Sequence, residues 1–420
     1  MFFVMVNIVD APMGAGKSSA LINYMNSPAG DNVKFIYVTP YLNEVERIIS
    51  KCPSREFAEP LAGCDTFTDT KLKSLKELLR DGRNVSTTHA LFFYFDDEVM
   101  EMIGNQNYVL IMDEVADVVS SYIKDSSHLK CRGITRDDFD LLLRDCAFID
   151  RDTQYVRWKN FNYDGNLNEY RIACEANSIV VYGSCDFPLW VLPVNRFNCF
   201  KDVYVLTYMF NAQIQRYYYD AAGIKYRYLG VDKVDDEYVL SDYKKYVQIY
   251  DYKSLINICE NEKLNRLGEP KTALCKNWYM KNKGLEDIRQ LKSNTYNYFR
   301  NICHSKANNN LWTTFKSFRF DIRGKGYSKG FLQCNARATN EYRDRNCVAY
   351  LINLYLNPVI KNYFIAQGVD VDEDGYALSE MLQFIWRSAI RQGLPINLYV
   401  PSSRMRTMLK EWIENNTLNK

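Results

Sequence analysis

A short glycine-containing segment near the start of the chain has the residue types that bind phosphate. It reads Asp10-Ala-Pro-Met-Gly14-Ala-Gly16-Lys17-Ser18, and it follows an apolar run and opens a helical pattern. Backbone N–H groups of such a loop point at phosphate oxygens, while Lys17 reaches the outer phosphates and Ser18 binds Mg²⁺. The segment therefore predicts a P-loop that binds ATP. Its binding residues are Pro12, Met13, Gly14, Ala15, Gly16, Lys17 and Ser18.

Two adjacent carboxylates follow a second apolar run. The run Tyr108–Met112 predicts a buried strand, and Asp113 and Glu114 come directly after it. A carboxylate at the end of a strand can hold the Mg²⁺ of a nucleotide, and its neighbour can orient or deprotonate the attacking water. We therefore assign the metal to Asp113 together with Ser18, and the water to Glu114. With the P-loop, this pair predicts an enzyme that hydrolyses ATP.

The two segments resemble motifs I and II of superfamily 2 helicases. Ala11 stands where the general P-loop pattern has its first glycine, as it often does in that family, and the loop is similar to that of the herpesvirus origin-binding helicases and their phage relatives. Motif II continues as Val115-Ala116 and so departs from the D-E-A-D and D-E-x-H subfamilies. The resemblance implies two tandem RecA-like domains with the ATP site in the cleft between them. It also implies ATP-driven movement on nucleic acid.

Further segments resemble the family's nucleic-acid motifs in the expected order. Val38-Thr39-Pro40 with Arg47 is similar to motif Ia, and Ser86-Thr87-Thr88-His89 is similar to a threonine motif at a strand end. An ordinary strand-to-helix cap is the alternative for each. The segment 330–340 resembles motif V, and motif III is carried either by Val205–Tyr208 or by Gly183-Ser184. The implied nucleic-acid-binding residues are Thr39, Pro40, Arg47, Thr87, Thr88, Arg337, Thr339 and Asn340.

A pair of arginines near the C-terminus matches the need for positive charge in a two-domain ATP site. Negative charge develops on the transferred phosphoryl group, and an arginine from the second domain can stabilise it. In Gln383-Phe-Ile-Trp-Arg387-Ser-Ala-Ile-Arg391 the two arginines share one face if the segment is a helix. The segment resembles motif VI, with Trp386 in place of glycine, and predicts catalytic roles for Gln383, Arg387 and Arg391. A solvated basic helix face is the alternative.

Alternating apolar runs and helical patterns predict an α/β fold with parallel sheets. We place the domain boundary at residue 212, giving domains 1–212 and 213–420, with an irregular Tyr- and Lys-rich segment from Arg216 to Lys306. The predicted strands are Val4–Val9, Val33–Val38, Asn84–Thr87, Tyr108–Met112, Ile179–Tyr182, Val203–Thr207, Leu311–Phe315, Gly330–Cys334 and Ile396–Val400. The predicted helices are Lys17–Asn26, Leu42–Ser50, Thr70–Arg80, Cys347–Leu356, Ala377–Arg391 and Arg404–Asn415.

Composition is that of a soluble globular protein. The 420 residues are 47% hydrophobic and 25% charged, with a net charge of only +2, so a nucleic-acid partner requires a local basic groove. The apolar N-terminus lacks a basic leader, and no run approaches the roughly 18 apolar residues of a membrane span. We expect a cytoplasmic protein, in the host cytoplasm if phage-encoded. The 12 Cys and 3 His show no zinc-ligand spacing, which favours reduced structural thiols.

Several readings stay open. Basic residues of the segment 316–329 alternate with aromatic ones, which suits either a single-strand groove or an exposed basic hairpin. The acidic segment 370–375 starts like a calcium loop, but Met381 stands where the loop needs a bidentate Glu, so an acidic turn is favoured. The alternative functions are a DNA-packaging terminase, whose nuclease would use Asp370, Asp372 and Asp374, and a nucleotide-binding regulatory protein without motor activity. As partners we expect nucleic acid, with DNA favoured over RNA, and replication or recombination proteins.

Overall fold

The computed structural model describes residues 4–61, 67–123, 133–244, 249–335 and 341–416. The strands are β1 (Val6–Asp10), β2 (Lys34–Thr39), β3 (Val85–Thr88), β4 (Tyr108–Asp113), β5 (Val119–Ser121), β6 (Ala147–Ile149), β7 (Val156–Trp158), β8 (Ile179–Tyr182), β9 (Phe187–Val191), β10 (Asp202–Thr207), β11 (Tyr226–Val234), β12 (Glu237–Asp242), β13 (Ile256–Ile258), β14 (Asn310–Thr313), β15 (Cys347–Tyr350) and β16 (Ile396–Tyr399). The helices are α1 (Lys17–Asn26), α2 (Leu42–Lys51), α3 (Phe67–Arg80), α4 (His89–Phe92), α5 (Asp97–Gly104), α6 (Arg136–Asp145), α7 (Arg171–Glu175), α8 (Ile214–Ala222), α9 (Tyr252–Leu255), α10 (Glu262–Asn265), α11 (Lys276–Asn282), α12 (Glu286–Asn297), α13 (Arg319–Ile322), α14 (Pro358–Ala366), α15 (Glu373–Ile385) and α16 (Ser403–Asn415).

The first domain is built on a seven-stranded sheet in the order β12-β11-β1-β10-β4-β2-β3. All neighbouring strands are parallel except the edge pair β11 and β12, which is antiparallel. Strands β1 and β4 are mostly apolar and almost entirely buried, as expected when helices cover both faces of a parallel sheet. Strand β10 lies between them, with Thr207 beside Asp10 and Leu206 beside Asp113. The sheet thereby aligns the end of the P-loop strand with the end of the acidic strand.

The second domain has a four-stranded parallel sheet in the order β13-β16-β15-β14. Helices α15 and α16 pack on it through a buried apolar cluster that includes Met381, Ile385 and Leu409. The predicted fold class, two tandem α/β domains of RecA-like type with parallel sheets and a cleft between them, is confirmed.

The chain crosses between the two domains more than once, whereas the prediction divided it once at residue 212. Strands β11 and β12 hydrogen-bond into the first sheet, so this domain extends to Asp242. Helix α14 comes from the C-terminal half, yet its Ile360 and Phe364 pack into the core of the first domain. The two domains are therefore joined by shared core packing as well as by the chain.

An insertion between β4 and β10 carries antiparallel strands. Strands β5, β9 and β8 form a three-stranded sheet and β6 pairs with β7. The strand predicted at Ile179–Tyr182 is thus present, but it lies outside the parallel sheet. Within the described residues, the structure has no helix long and apolar enough to cross a membrane.

Three predicted elements of the second half are wrong. Cys347–Leu356 was expected to be a helix, but its first residues form β15, buried between β14 and β16. A continuous apolar run does not distinguish a buried strand from a buried helix, and the sheet decides. Gly330–Cys334 makes a single bridge, Phe331 to Trp312, instead of a strand. The segment expected to be irregular, 216–306, contains most of α8, strands β11 to β13 and helices α9 to α12.

Candidate active site

The P-loop lies between β1 and α1, as the sequence predicts. Gly14 and Gly16 have φ values of 90° and 88°, a left-handed conformation that glycine adopts at little cost. Helix α1 begins directly after Gly16, with Lys17 as its first residue. The Lys17 ammonium donates to the carbonyl oxygens of Ala11 at 2.5 Å and Pro12 at 3.0 Å. The lysine therefore lies across the loop, where it can contact phosphates.

The serine and the aspartate assigned to Mg²⁺ lie next to each other. The Ser18 hydroxyl donates to Asp113 Oδ2 at 3.2 Å, and the Tyr37 hydroxyl donates to the same oxygen at 3.0 Å. Burial, followed by the neighbouring Glu114 carboxylate, raises the pKa of Asp113 to about 6. Oxygen donors of this type suit a divalent cation, which would relieve the cost of the buried negative charge. Tyr37 belongs to this group although no sequence motif pointed to it.

Glu114 contacts residues of both domains. Its backbone adopts a left-handed conformation with φ 68°, and its N–H donates to the carbonyl of Leu206 on β10. Arg387 of the second domain donates to Glu114 Oε1 at 3.4 Å and is 7% exposed. The carboxylate assigned to the attacking water is therefore in contact with one of the two predicted arginines.

The predicted helix over Ala377–Arg391 is only partly correct. Helix α15 ends at Ile385, Arg387 follows it in a turn, and Arg391 lies in a short 3-10 helix, Ala389–Gln392. The two arginines thus reach the cleft from a turn and a second short element, and not from one helix face. Ser388, between the two arginines, has an extended conformation, and its hydroxyl donates to the Ile385 carbonyl.

A cavity of about 390 Å³ lies in the cleft and brings these residues together. Its lining comes from the P-loop, the ends of β2, β4 and β10, helix α2, strand β12 and the arginine segment. The lining residues are Met13, Gly14, Gly16, Lys17, Ser18, Ser19, Thr39, Pro40, Glu44, Arg47, Asp113, Glu114, Val115, Leu206, Thr207, Tyr208, Tyr238, Gln383, Arg387 and Arg391. Pro12 and Ala15, also predicted to bind, belong to the loop but do not line the cavity.

The cations of the cavity repel one another. Burial lowers the pKa of Lys17 to about 8. Arg391 also lowers this pKa, whereas the nearby carboxylates raise it. The pKa of Arg391 is lowered by burial and then by Arg387. A polyanion bound between these groups would favour their charged forms. The electrostatics of the cavity thus suit a triphosphate held by the cations and a metal held by the acids.

The residues assigned to nucleic acid fall into three groups. Thr39, Pro40 and Arg47 line the cavity with the P-loop, so the structure groups them with the nucleotide residues and not with a separate surface. Arg47 pairs with Glu44 at 2.6 Å. Thr87 is buried and Thr88 half-buried at the end of β3, and neither lines the cavity. The remaining three, Arg337, Thr339 and Asn340, lie outside the described residues.

The structure distinguishes the two candidates for motif III. Thr207 ends β10, which lies between the P-loop strand and the acidic strand, and it lines the cavity. Gly183 and Ser184 lie in the turn between β8 and β9, in the inserted sheet. Thr207 therefore lies between the P-loop and the Asp113-Glu114 pair.

Two further residues belong to the site although no sequence motif identified them. Asp10 is buried and accepts hydrogen bonds from the backbone N–H groups of Met209 at 2.8 Å and Phe210 at 3.0 Å. It ties the start of the P-loop to the end of β10, and its place directly before the loop was a signal that could have been used. Tyr238 on β12 also lines the cavity, and nothing near it in the sequence marks it.

The acidic turn and the basic aromatic segment have structural contacts of their own. Asp372 accepts from the Gly375 N–H at the start of α15, and Asp374 pairs with Arg404 at 2.5 Å. In the basic segment, Phe318 and Tyr327 are buried in the second domain, whereas Phe320 is 65% exposed. Only part of the predicted aromatic series is therefore available to a ligand.

Comparisons with known proteins extend over nearly the whole chain. Among solved structures, the chain is similar to S. tokodaii Xpd4, at 12% identity and a TM-score of 0.45, covering 97% of this chain and 94% of that one. It is also similar to the DUF1998 helicase MrfA, determined bound to DNA and AMPPNP, at 10% identity and a TM-score of 0.35, covering 98% of this chain and 48% of that one.

Sequence comparison identifies a relative that aligns with nearly the whole of this sequence. Residues 250–413 match the family model described as the YonV C-terminal Rossmann-like domain. The chain is 41% identical over 421 residues to the SPbeta prophage-derived protein YonV of Bacillus subtilis (strain 168), covering 98% of this chain and 99% of the relative. The chain therefore belongs to the YonV family.

Proposed function

We propose that the chain is a nucleic-acid-dependent ATPase that hydrolyses ATP in the cleft between its two domains and moves along DNA as a helicase or translocase. The observation that carries this proposal is the composition of the cleft cavity. It combines a phosphate loop and an Asp-Glu pair from the first domain with two arginines from the second domain. Because the second domain completes the ATP site, each round of ATP hydrolysis can move the two domains relative to each other.

Each group has a place in the reaction. The loop N–H groups and Lys17 bind the outer phosphates, and Ser18 and Asp113 would hold Mg²⁺, which would neutralise phosphate charge. Glu114 accepts a proton from the attacking water, and Arg391 stabilises the charge that develops on the phosphoryl group. The contact between Arg387 and Glu114 at 3.4 Å makes the position of the water-activating group depend on the second domain.

Support for nucleic acid comes from the motif resemblance and from an exposed feature of the second domain. The Phe320 ring is 65% exposed and has the guanidinium carbons of Arg319 and Arg323 at 5.7 Å and 4.8 Å from its centroid. An exposed ring beside two cations can stack on bases while the cations contact the backbone. The prophage origin of the relative YonV favours DNA and a phage role, in the host cytoplasm.

The decisive experiment measures ATP turnover with no polymer, with single-stranded DNA, with duplex DNA and with RNA. We expect stimulation by DNA, and Phe320→Ala should reduce it without altering basal turnover. The Lys17→Ala variant is the control for contaminating ATPases. ATP turnover that no polymer changes would contradict a motor and support a regulatory ATPase. Mg²⁺-dependent cleavage of plasmid DNA would instead support a terminase.

A further inference from the structure

The edge hairpin of the first sheet places an aromatic ring against the phosphate loop. Strands β11 and β12 form this hairpin on the side of β1 that lies away from the acidic strand. The Tyr238 ring is packed so closely on Gly16 that a side-chain carbon added to this glycine would lie 2.1 Å from Tyr238 Cδ1. The same ring lines the cavity of the cleft. Tyr238 therefore lines the site but has no role in the proposed hydrolysis.

The order of the strands sets the direction of a bound nucleotide. Asp113 is the last residue of β4 and Glu114 follows it, and β4 lies on the β10 side of the P-loop strand. The terminal phosphate has to lie near these carboxylates, because hydrolysis takes place there under the proposed function. The nucleoside then extends from the loop toward the opposite side, where β11 and β12 lie. Tyr238 is the cavity residue from that hairpin.

Tyr238 is held in place by contacts with the helix that follows the loop. The Asn23 side chain of α1 donates to the Tyr238 carbonyl at 3.0 Å, and the ring packs against the apolar cluster that includes Ala20 and Leu21. The ring therefore keeps its position relative to the phosphate loop. A fixed aromatic face beside the phosphate loop suits stacking of a nucleobase.

We propose that Tyr238 stacks on the base of the bound nucleoside triphosphate and that the site accepts both purine bases; this rests on the proposed ATPase function. The guanidinium and carboxylate groups of the cavity come from α2, β4 and its end, and the arginine segment, away from the hairpin. Stacking depends little on the identity of the base, whereas discrimination requires hydrogen bonds to its edge. ATP and GTP should therefore bind within about threefold of each other.

The test compares ligands with and without a base on the full chain with Mg²⁺. The probes are ATP, GTP and inorganic tripolyphosphate, and the variants are Tyr238→Phe, Tyr238→Leu and Tyr238→Ala. Leucine retains apolar bulk against Gly16 but has no aromatic face. We expect Tyr238→Leu and Tyr238→Ala to weaken ATP and GTP by roughly tenfold or more, while tripolyphosphate changes by less than about twofold. Tyr238→Phe should resemble the wild type.

Three outcomes would overturn the inference. If Tyr238→Leu binds ATP as tightly as the wild type, the ring does not stack on the base. If ATP and tripolyphosphate weaken by the same factor, Tyr238 supports the shape of the loop. If the wild type binds ATP at least tenfold more tightly than GTP, the base is read by hydrogen bonds. A wild type that binds neither ATP nor tripolyphosphate refutes the proposed function itself, which separates that failure from the other three.

Discussion

Removal of the Arg391 guanidinium tests whether the second domain takes part in ATP hydrolysis. Arg391 lines the cleft cavity, and among the described residues it forms no salt bridge, whereas Arg387 contacts Glu114 at 3.4 Å. Arg391 is therefore available to a phosphoryl group. If it stabilises the developing charge, Arg391→Ala should slow hydrolysis by about 10³-fold or more. At about 1.4 kcal/mol per factor of ten, this is a loss of roughly 4 kcal/mol in the transition state.

The same substitution should leave the folded protein at least as stable as before. Burial and the nearby Arg387 lower the pKa of Arg391, which means that its charged form is disfavoured in the folded, nucleotide-free protein. Replacing it with alanine removes this cost, so the melting temperature should stay constant or rise. ATP affinity should change much less than turnover. A loss of activity accompanied by a clear loss of stability would indicate a structural role.

The assay measures single-turnover hydrolysis, ATP affinity and thermal melting for Arg391→Ala and Arg387→Ala separately. Arg343→Ala is the matched control, because Arg343 lies in the same domain with its side chain 63% exposed and outside the cavity. It should behave like the wild type. Near-normal polymer-stimulated turnover in both cavity variants would refute the reasoning and leave the second domain without a part in hydrolysis.

Three further substitutions test the first domain. Lys17→Ala should abolish turnover with the fold intact, because the outer phosphates lose the cation of the loop; wild-type turnover would contradict the P-loop assignment. Glu114→Gln should bind ATP but hydrolyse it at least about 10²-fold more slowly, since an amide cannot accept the proton; loss of binding would contradict its role. Tyr37→Phe removes a hydrogen bond that lowers the pKa of Asp113, so this pKa should rise further above about 6. Because the metal requires the carboxylate, activity should then fall at a higher pH than in the wild type, and unchanged pH profiles would refute this link.

Local segments of the sequence were sufficient to predict the loop, helix and strand that carry the proposed chemistry. The P-loop needs left-handed glycines directly before a helix, and Gly14 and Gly16 supply that conformation within one short segment. Asp113 and Glu114 follow an apolar run long enough to indicate a buried strand. Helix α1 has the predicted bounds, Lys17–Asn26. In these cases the pattern of apolar residues and the turn chemistry are encoded in contiguous residues.

Relations between distant segments were decided by the tertiary structure. Cys347–Leu356 is apolar apart from Asn353, and only its place inside a sheet makes its first part a strand. Arg387 and Arg391 both line the cleft cavity, but they reach it from different elements because Ser388 adopts an extended conformation between them. Tyr238 and Tyr37 carry no local motif. Their positions follow from strand pairing and packing across the sheet, which depend on the whole chain and not on the residues beside them.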